Sequence, residues 1–233
     1  MMRVAVVRFP GSNCETESLA AVARAGGDAI LVDYRDMELS NADAVILPGG
    51  FSYGDHLRSG AIARFAPVMS AVKALADAGG AVIGICNGFQ ILCEAHLLPG
   101  ALQRNAQQRF SSRPVDIRID RTDTVCTSEY IDGEIIRIPI AHGEGRYVAD
   151  QETLDALEQS NRVMLRYVAV PGSDLPHNPN GSMNDIAGIC NAAGNVVGFM
   201  PHPERLAEAE LGSDAGQRFF SSLMHRIAAR AAA

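Results

Sequence analysis

Residues 80–94 constrain the fold most. An apolar run, Gly80-Ala81-Val82-Ile83, enters Gly84-Ile85-Cys86-Asn87-Gly88 and then Phe89-Gln90-Ile91-Leu92-Cys93-Glu94. A short run rich in β-branched residues, apolar without alternation, reads as a buried parallel strand. The segment after Gly88 has the spacing of an amphipathic helix. Strand, sharp turn and helix form the setting of a nucleophile elbow, whose turn residue stands over the sheet edge at a helix N-terminus. The known elbow carries serine, and here the position is Cys86. The helix dipole at such a site favours thiolate. The plainer alternative is a buried cysteine in an ordinary βα turn.

A buried parallel strand requires neighbours, and the flanking sequence supplies them. Strand signals cover about Arg3–Phe9, Ala29–Val32 and Ala44–Leu47. A helix is expected after the first, with Ser12 as N-cap and Glu15 completing a capping box, ending near Gly26-Gly27. Another is expected over about Pro67–Ala78. Alternating β and α units predict a doubly wound, mostly parallel α/β sheet with flanking helices. Residues 113–170 change character. Val115-Asp116-Ile117-Arg118-Ile119-Asp120 alternates strictly, as a half-exposed strand does. Gly133–Ile140 and Val163–Val168 are further strand signals, read as antiparallel additions to the sheet. A helix from about Ala215 closes a single domain over residues 1–233, with a frayed end.

A cysteine nucleophile needs a base. Val196-Val197-Gly198-Phe199 reads as a buried strand that runs into Met200-Pro201-His202-Pro203-Glu204. The prolines remove ladder donors and stiffen the exit. Glu204, two residues on, falls on the same side as His202 in an extended segment and can hold its tautomer. The alternative for His202 is a structural histidine at a strand end. The third strand runs into Pro48-Gly49-Gly50-Phe51-Ser52-Tyr53-Gly54-Asp55, a loop rich in free amides suited to an oxyanion. Its spacing matches neither common phosphate-binding glycine pattern. These three strand ends lie where ligands bind in such sheets.

With these segments in view, the chain resembles the class I, triad-type glutamine amidotransferases, a flavodoxin-like fold. Gly84, Cys86, Gly88 and Gln90 match the family's nucleophile motif. His202 and Glu204 match its base and orienter, and Gly49-Gly50 its amide loop. Arg8–Cys14, Pro48–Asp55, Ala141–Arg146, Asn178–Ser182 and Met200–Arg205 resemble the branch that serves purine biosynthesis, and the likeness spans essentially the whole chain. The resemblance implies hydrolysis of L-glutamine by Cys86, His202 and Glu204, with backbone amides of Gly50 and Asn87 as the oxyanion hole. It further implies Gln90, Asn105, Phe110, His142 and Gly143, with the adjoining Glu144, as substrate contacts; the alternative for the His142 loop is a place at the partner interface. Gln107 stands where the family usually has serine. The implied partners are an ATP- and Mg-dependent synthase subunit acting on formylglycinamide ribonucleotide, to which ammonia passes, and a small accessory subunit. Two alternatives stay open: a glutaminase serving a different synthase, and a redox-sensing protein of the same fold.

Composition narrows the setting. Net charge is −7 and no basic run occurs, which excludes nucleic acid as the expected principal partner. The chain shows no P-loop and no kinase-type motif, so no cofactor is expected in this chain itself. The cysteines Cys14, Cys86, Cys93, Cys126 and Cys190 are odd in number and show no CxxC, so neither a disulfide framework nor a metal site is expected. Cys93 reads as core packing, and Cys14 shows no base beside it in sequence. No leader precedes the first strand, and no apolar run approaches ~20 residues, so a cytoplasmic protein without a membrane span is expected.

Overall fold

The short apolar runs become the inner strands of a nine-stranded sheet in the computed structural model, which describes residues 2–232. In chain order the elements are β1 (Arg3–Arg8), α1 (Glu15–Arg24), β2 (Asp28–Asp33), β3 (Ala44–Leu47), α2 (Val68–Asp77), β4 (Ala81–Ile85) and α3 (Asn87–Glu94). There follow β5 (Ala101–Gln103), β6 (Ser111–Ile119), β7 (Ile135–His142), β8 (Arg146–Val148), α4 (Gln151–Gln159) and β9 (Val163–Tyr167). β10 (Ile186–Cys190), β11 (Val196–Phe199) and α5 (Gln217–Ala231) complete the chain.

The sheet order is β2-β1-β3-β4-β11-β10-β9-β6-β7. Its first five strands are parallel, the doubly wound order expected from the sequence, and the rest join antiparallel. β3 and β4 are buried at every residue, as continuous apolar runs require. The chain leaves β1 in one direction and passes from β3 through β4 to β11 in the other. Right-handed crossovers therefore place α1 on the opposite face from α2 and α3. α1 packs against α5.

Some local expectations were overturned. Ser12 does not cap α1; its hydroxyl accepts from the Phe9 amide at 3.0 Å, and the N-cap position is Cys14, without a side-chain cap. Asp116 does not face solvent. It is buried opposite Arg137, whose guanidinium donates to it at 2.9 and 3.1 Å. The region read as added strands also contains α4, capped by Asp150 accepting from the Thr153 amide at 2.8 Å. β5 and β8 form a separate two-stranded sheet.

Candidate active site

The loops after β1, β3, β4 and β11 meet at the carboxyl edge of the parallel strands. Cys86, between β4 and α3, has φ 50° and ψ −102°, a costly conformation for a residue with a Cβ. Its amide donates to Phe199 O at 2.8 Å and its carbonyl accepts from Gln90 N at 3.2 Å, which lock the turn from both sides. Gly88 permits this elbow by contact rather than by dihedral: a Cβ there would lie 1.9 Å from the Leu47 carbonyl oxygen. Cys86 lines a cleft of about 360 Å³, and its sulfur lies 3.7 Å from Ala141 O. The amides of the first turn of α3, including that of Asn87, have no acceptor within the helix. The Asn87 side chain is committed: Oδ1 accepts from Ser52 N at 3.1 Å, and Nδ2 donates to Gln90 Oε1 at 2.8 Å.

His202 leaves β11 with its amide donating to Pro139 O at 2.9 Å. The next residues, Pro203–Leu206, form a 3-10 turn. Glu204 therefore reaches His202 by turning back, not by extended alternation. Its Oε1 lies 2.6 Å from His202 Nδ1, and both side chains are buried. Burial works against an imidazolium, but the Glu204 carboxylate, then Cys86 and Cys14, outweigh it and raise the basicity of His202 well above the ordinary value. Nε2 is buried and has no hydrogen-bond partner among the described residues. With Nδ1 committed to Glu204, Nε2 is the atom free to take the thiol proton.

The glycine loop is fastened to the segment after β1. Asn13 and Cys14 amides donate to Gly49 O at 3.3 Å each, Phe51 N to Gly11 O at 2.8 Å, and Tyr53 N to Pro10 O at 2.6 Å. These bonds use the Gly49 carbonyl and the Phe51 amide and leave the Gly50 amide outside the ladder, at the cleft. Gly50 has φ +153°, and a Cβ there would meet Ser12 Cα at 2.6 Å. Cys14, which showed no base in sequence, has one in space: its sulfur lies 4.0 Å from His202 Nδ1. It faces the nitrogen committed to Glu204, is fully buried, does not line the cleft and accepts from Arg205 Nη2 at 3.0 Å. Cys86, not Cys14, has the access a nucleophile requires. Among the described residues Cys14, His202 and Glu204 also form a cluster of metal-type donors. The guanidinium on the sulfur opposes a cation there.

The remaining cleft wall is charged and aromatic. Phe110, Phe51, His142, Gly143, Glu144, Gln90, Arg104, Arg109, Asp55 and Ser59 line it. Gln90 is tied at both ends, since Nε2 donates to Glu144 O at 2.6 Å. Asn105 is not in the lining. It is fully buried behind it, donating to Arg109 O and His142 O and accepting from Gly145 N, so its place is structural support. His142 is nearly enclosed, and burial, then the charge at His202, depress its pKa to about 3. It is neutral at physiological pH. Gln107, at the position usually held by serine, donates to Pro179 O at 2.7 Å. The Asn178–Ser182 loop is bound to the same wall through Asn180 Nδ2 on Gly145 O at 2.8 Å and Ala106 N on Asn180 O at 2.8 Å. Asp55 ends the glycine loop, but the sequence assigns it no site role. Its Oδ1 is buried without a partner, and burial, with the neighbouring Glu144 charge, lifts its pKa to about 6. Glu144 Oε2 accepts from Ser59 Oγ at 2.8 Å and Ser59 N at 3.1 Å.

A strained elbow cysteine, a buried histidine–glutamate couple and an amide loop at one cleft define the class I glutamine amidotransferase arrangement. The model of CobB/CobQ-like glutamine amidotransferase domains matches residues 1–221. The phosphoribosylformylglycinamidine synthase subunit PurQ of Rubrobacter xylanophilus is 54% identical over 223 residues, 96% of this chain and 98% of that protein. The PurQ subunit of Lacticaseibacillus paracasei is 53% identical over 226 residues, 97% and 96% of the two chains. The structure of PurLQS from Thermotoga maritima matches with a TM-score of 0.85 at 41% identity, covering 97% of this chain and 98% of that one. The glutaminase domain of Trypanosoma brucei CTPS, solved with bound acivicin, shares the fold at a TM-score of 0.64 and 14% identity, over 98% and 94% of the chains. This chain is therefore a glutamine amidotransferase, and within that class it belongs to the family of phosphoribosylformylglycinamidine synthase PurQ subunits.

Proposed function

We propose that this chain is the glutaminase subunit of a phosphoribosylformylglycinamidine synthase. It hydrolyses L-glutamine and passes the ammonia to a synthase subunit, PurL, which converts formylglycinamide ribonucleotide to formylglycinamidine ribonucleotide. A small accessory subunit completes the assembly. ATP and Mg belong to the synthase subunit. The observation that carries the assignment of roles is the unpartnered Nε2 of His202, buried beside Cys86 with Nδ1 committed to Glu204.

The Cys86 sulfur attacks the side-chain amide carbon of glutamine while its proton passes to His202 Nε2. The tetrahedral oxyanion is held by the amides of Gly50 and Asn87. On collapse the carbon–nitrogen bond breaks, and the imidazolium gives its proton to the leaving ammonia. Water, deprotonated by His202, then cleaves the γ-glutamyl thioester to glutamate and restores the thiol. Glu204 stabilises the imidazolium through both steps. Removal of one oxyanion donor typically costs about 10²–10³ in rate. For the amino-acid end of the substrate, the Asp55 carboxylate, whose Oδ1 has no partner, and Glu144 suit the α-ammonium, and Arg104 and Arg109 the α-carboxylate. Phe110, Gly143 and neutral His142 complete the wall.

Five free, buried cysteines support a reducing, cytoplasmic setting. Among the described residues no helix is long and apolar enough to cross a membrane.

The test is product formation by the chain combined with its synthase and accessory subunits, ATP and formylglycinamide ribonucleotide. Glutamine and ammonia are compared as nitrogen donors. Cys86→Ala is expected to abolish glutamine use and leave ammonia-driven synthesis intact. Ammonia-dependent product with no glutamine use by the unaltered chain would sink the assignment.

A further inference from the structure

Cys14 has no part in the chemistry above, yet its side chain sits where three pieces of the site converge. Its thiol donates to Asn13 Oδ1 at 3.1 Å and accepts from Arg205 Nη2 at 3.0 Å, and its sulfur lies 4.0 Å from His202 Nδ1. A Cβ at Gly49 would fall 3.0 Å from this sulfur and 2.8 Å from His202 Cε1, so the amide loop, the imidazole and Cys14 are in mutual contact.

Arg205 follows Glu204 directly in sequence and is close enough for their charges to interact. A guanidinium fork is the usual bidentate partner of a carboxylate. Glu204 nevertheless uses only Oε1, on His202, and its Oε2 is buried with no partner. The guanidinium is occupied by sulfur instead. Were it to engage Glu204, the carboxylate charge that sustains the imidazolium would be neutralised.

Building on the triad assigned above, we propose that Cys14 is a positioning residue whose sulfur holds the Arg205 guanidinium away from Glu204, keeping that carboxylate committed to His202. The titratable groups facing His202 are Glu204 after β11, Cys86 after β4, Cys14 before α1 and His142 at the end of β7, and the charged Arg205 faces Cys14, Glu204 and Cys86.

The test measures glutamine-dependent kcat and KM against pH in the reconstituted complex, for the unaltered chain, Cys14→Ala, Cys14→Ser, Arg205→Gln and Cys14→Ala with Arg205→Gln. In Cys14→Ala the freed guanidinium weakens the imidazolium. The alkaline limb of kcat is expected to move down by roughly one pH unit, tenfold in the proton equilibrium, with KM and the ammonia-dependent rate little changed. Cys14→Ser keeps an acceptor for Arg205 and should retain the original profile, which also serves if Cys14→Ala does not fold. Adding Arg205→Gln to Cys14→Ala should restore the profile. An unshifted limb in Cys14→Ala, a shifted one in Cys14→Ser, or a double variant as shifted as Cys14→Ala overturns the proposal. Absence of glutamine turnover in the unaltered chain would instead count against the glutaminase assignment.

Discussion

At the scale of single residues, Asp55 offers the clearest link between burial and substrate recognition. Its carboxylate is raised to about 6 by burial and by Glu144, and one oxygen lacks a partner. Below pH 6 it takes a proton and loses the charge that would hold an α-ammonium. The bound ammonium favours the ionised form and pulls the pKa down again. The expected result is a KM for glutamine that rises as pH falls through about 6, while kcat is unaffected by this group. Asp55→Asn should raise KM roughly tenfold or more, in the range of a lost charged hydrogen bond, and remove that pH dependence. An unchanged KM would place the ammonium elsewhere. A role for Asp55 was not legible in sequence because nothing local signals its enclosure, and the neighbouring charge of Glu144 comes from 89 positions away. The Cys14–Arg205 contact joins residues 191 apart and was hidden for the same reason. Cys86, His202 and Glu204 were legible because each lies in a short local pattern at a strand end. Even there the local pattern suggests extended alternation for Glu204, whereas Pro203–Leu206 turns back.

At the scale of elements, β3 was read at its observed ends and α2 to within a residue at each, because continuous apolar runs and helical spacing are local properties. What escaped was decided by tertiary partners. Asp116 looked like a solvent-facing strand residue until β7 supplied Arg137 opposite it. The pairing of β5 with β8 brings together two three-residue segments far too short to signal themselves. The elbow itself depends on the seating of α3 against β3. At Gly88 an added methyl would meet the Leu47 carbonyl oxygen at 1.9 Å, and backbone cannot swing aside as a flexible side chain can. Gly88→Ala is expected to cost about 1–3 kcal/mol through overpacking, despite alanine's better helix propensity. Urea unfolding measures this directly. A variant as stable as the original chain would mean that α3 can shift on β3 without penalty.

At the scale of the whole molecule, the site belongs to neither half of the sheet alone. Cys86 and Gly50 come from the parallel strands, whereas Ala141–Glu144 come from the end of β7 and the loop after it, in the antiparallel half. β11 joins them, pairing parallel with β4 and antiparallel with β10. One continuous sheet with a shared core should open as one unit. The cysteines report on this from both sides. Cys14 and Cys93 lie against the parallel half, and Cys126 and Cys190 in the antiparallel half, all buried. Burial also pushes the Cys93, Cys126 and Cys190 thiols above their ordinary pKa, which slows their reaction with alkylating reagents in the folded state. Labelling with a thiol reagent across a urea series, resolved by peptide mass, should therefore expose these four positions over the same concentration range as the loss of far-ultraviolet dichroism. Cys86 is left out because it lines the cleft. Exposure of Cys126 and Cys190 at clearly lower urea than Cys14 and Cys93 would show the antiparallel strands to be a separately opening unit. The cleft wall they carry could then be lost while the elbow stayed folded.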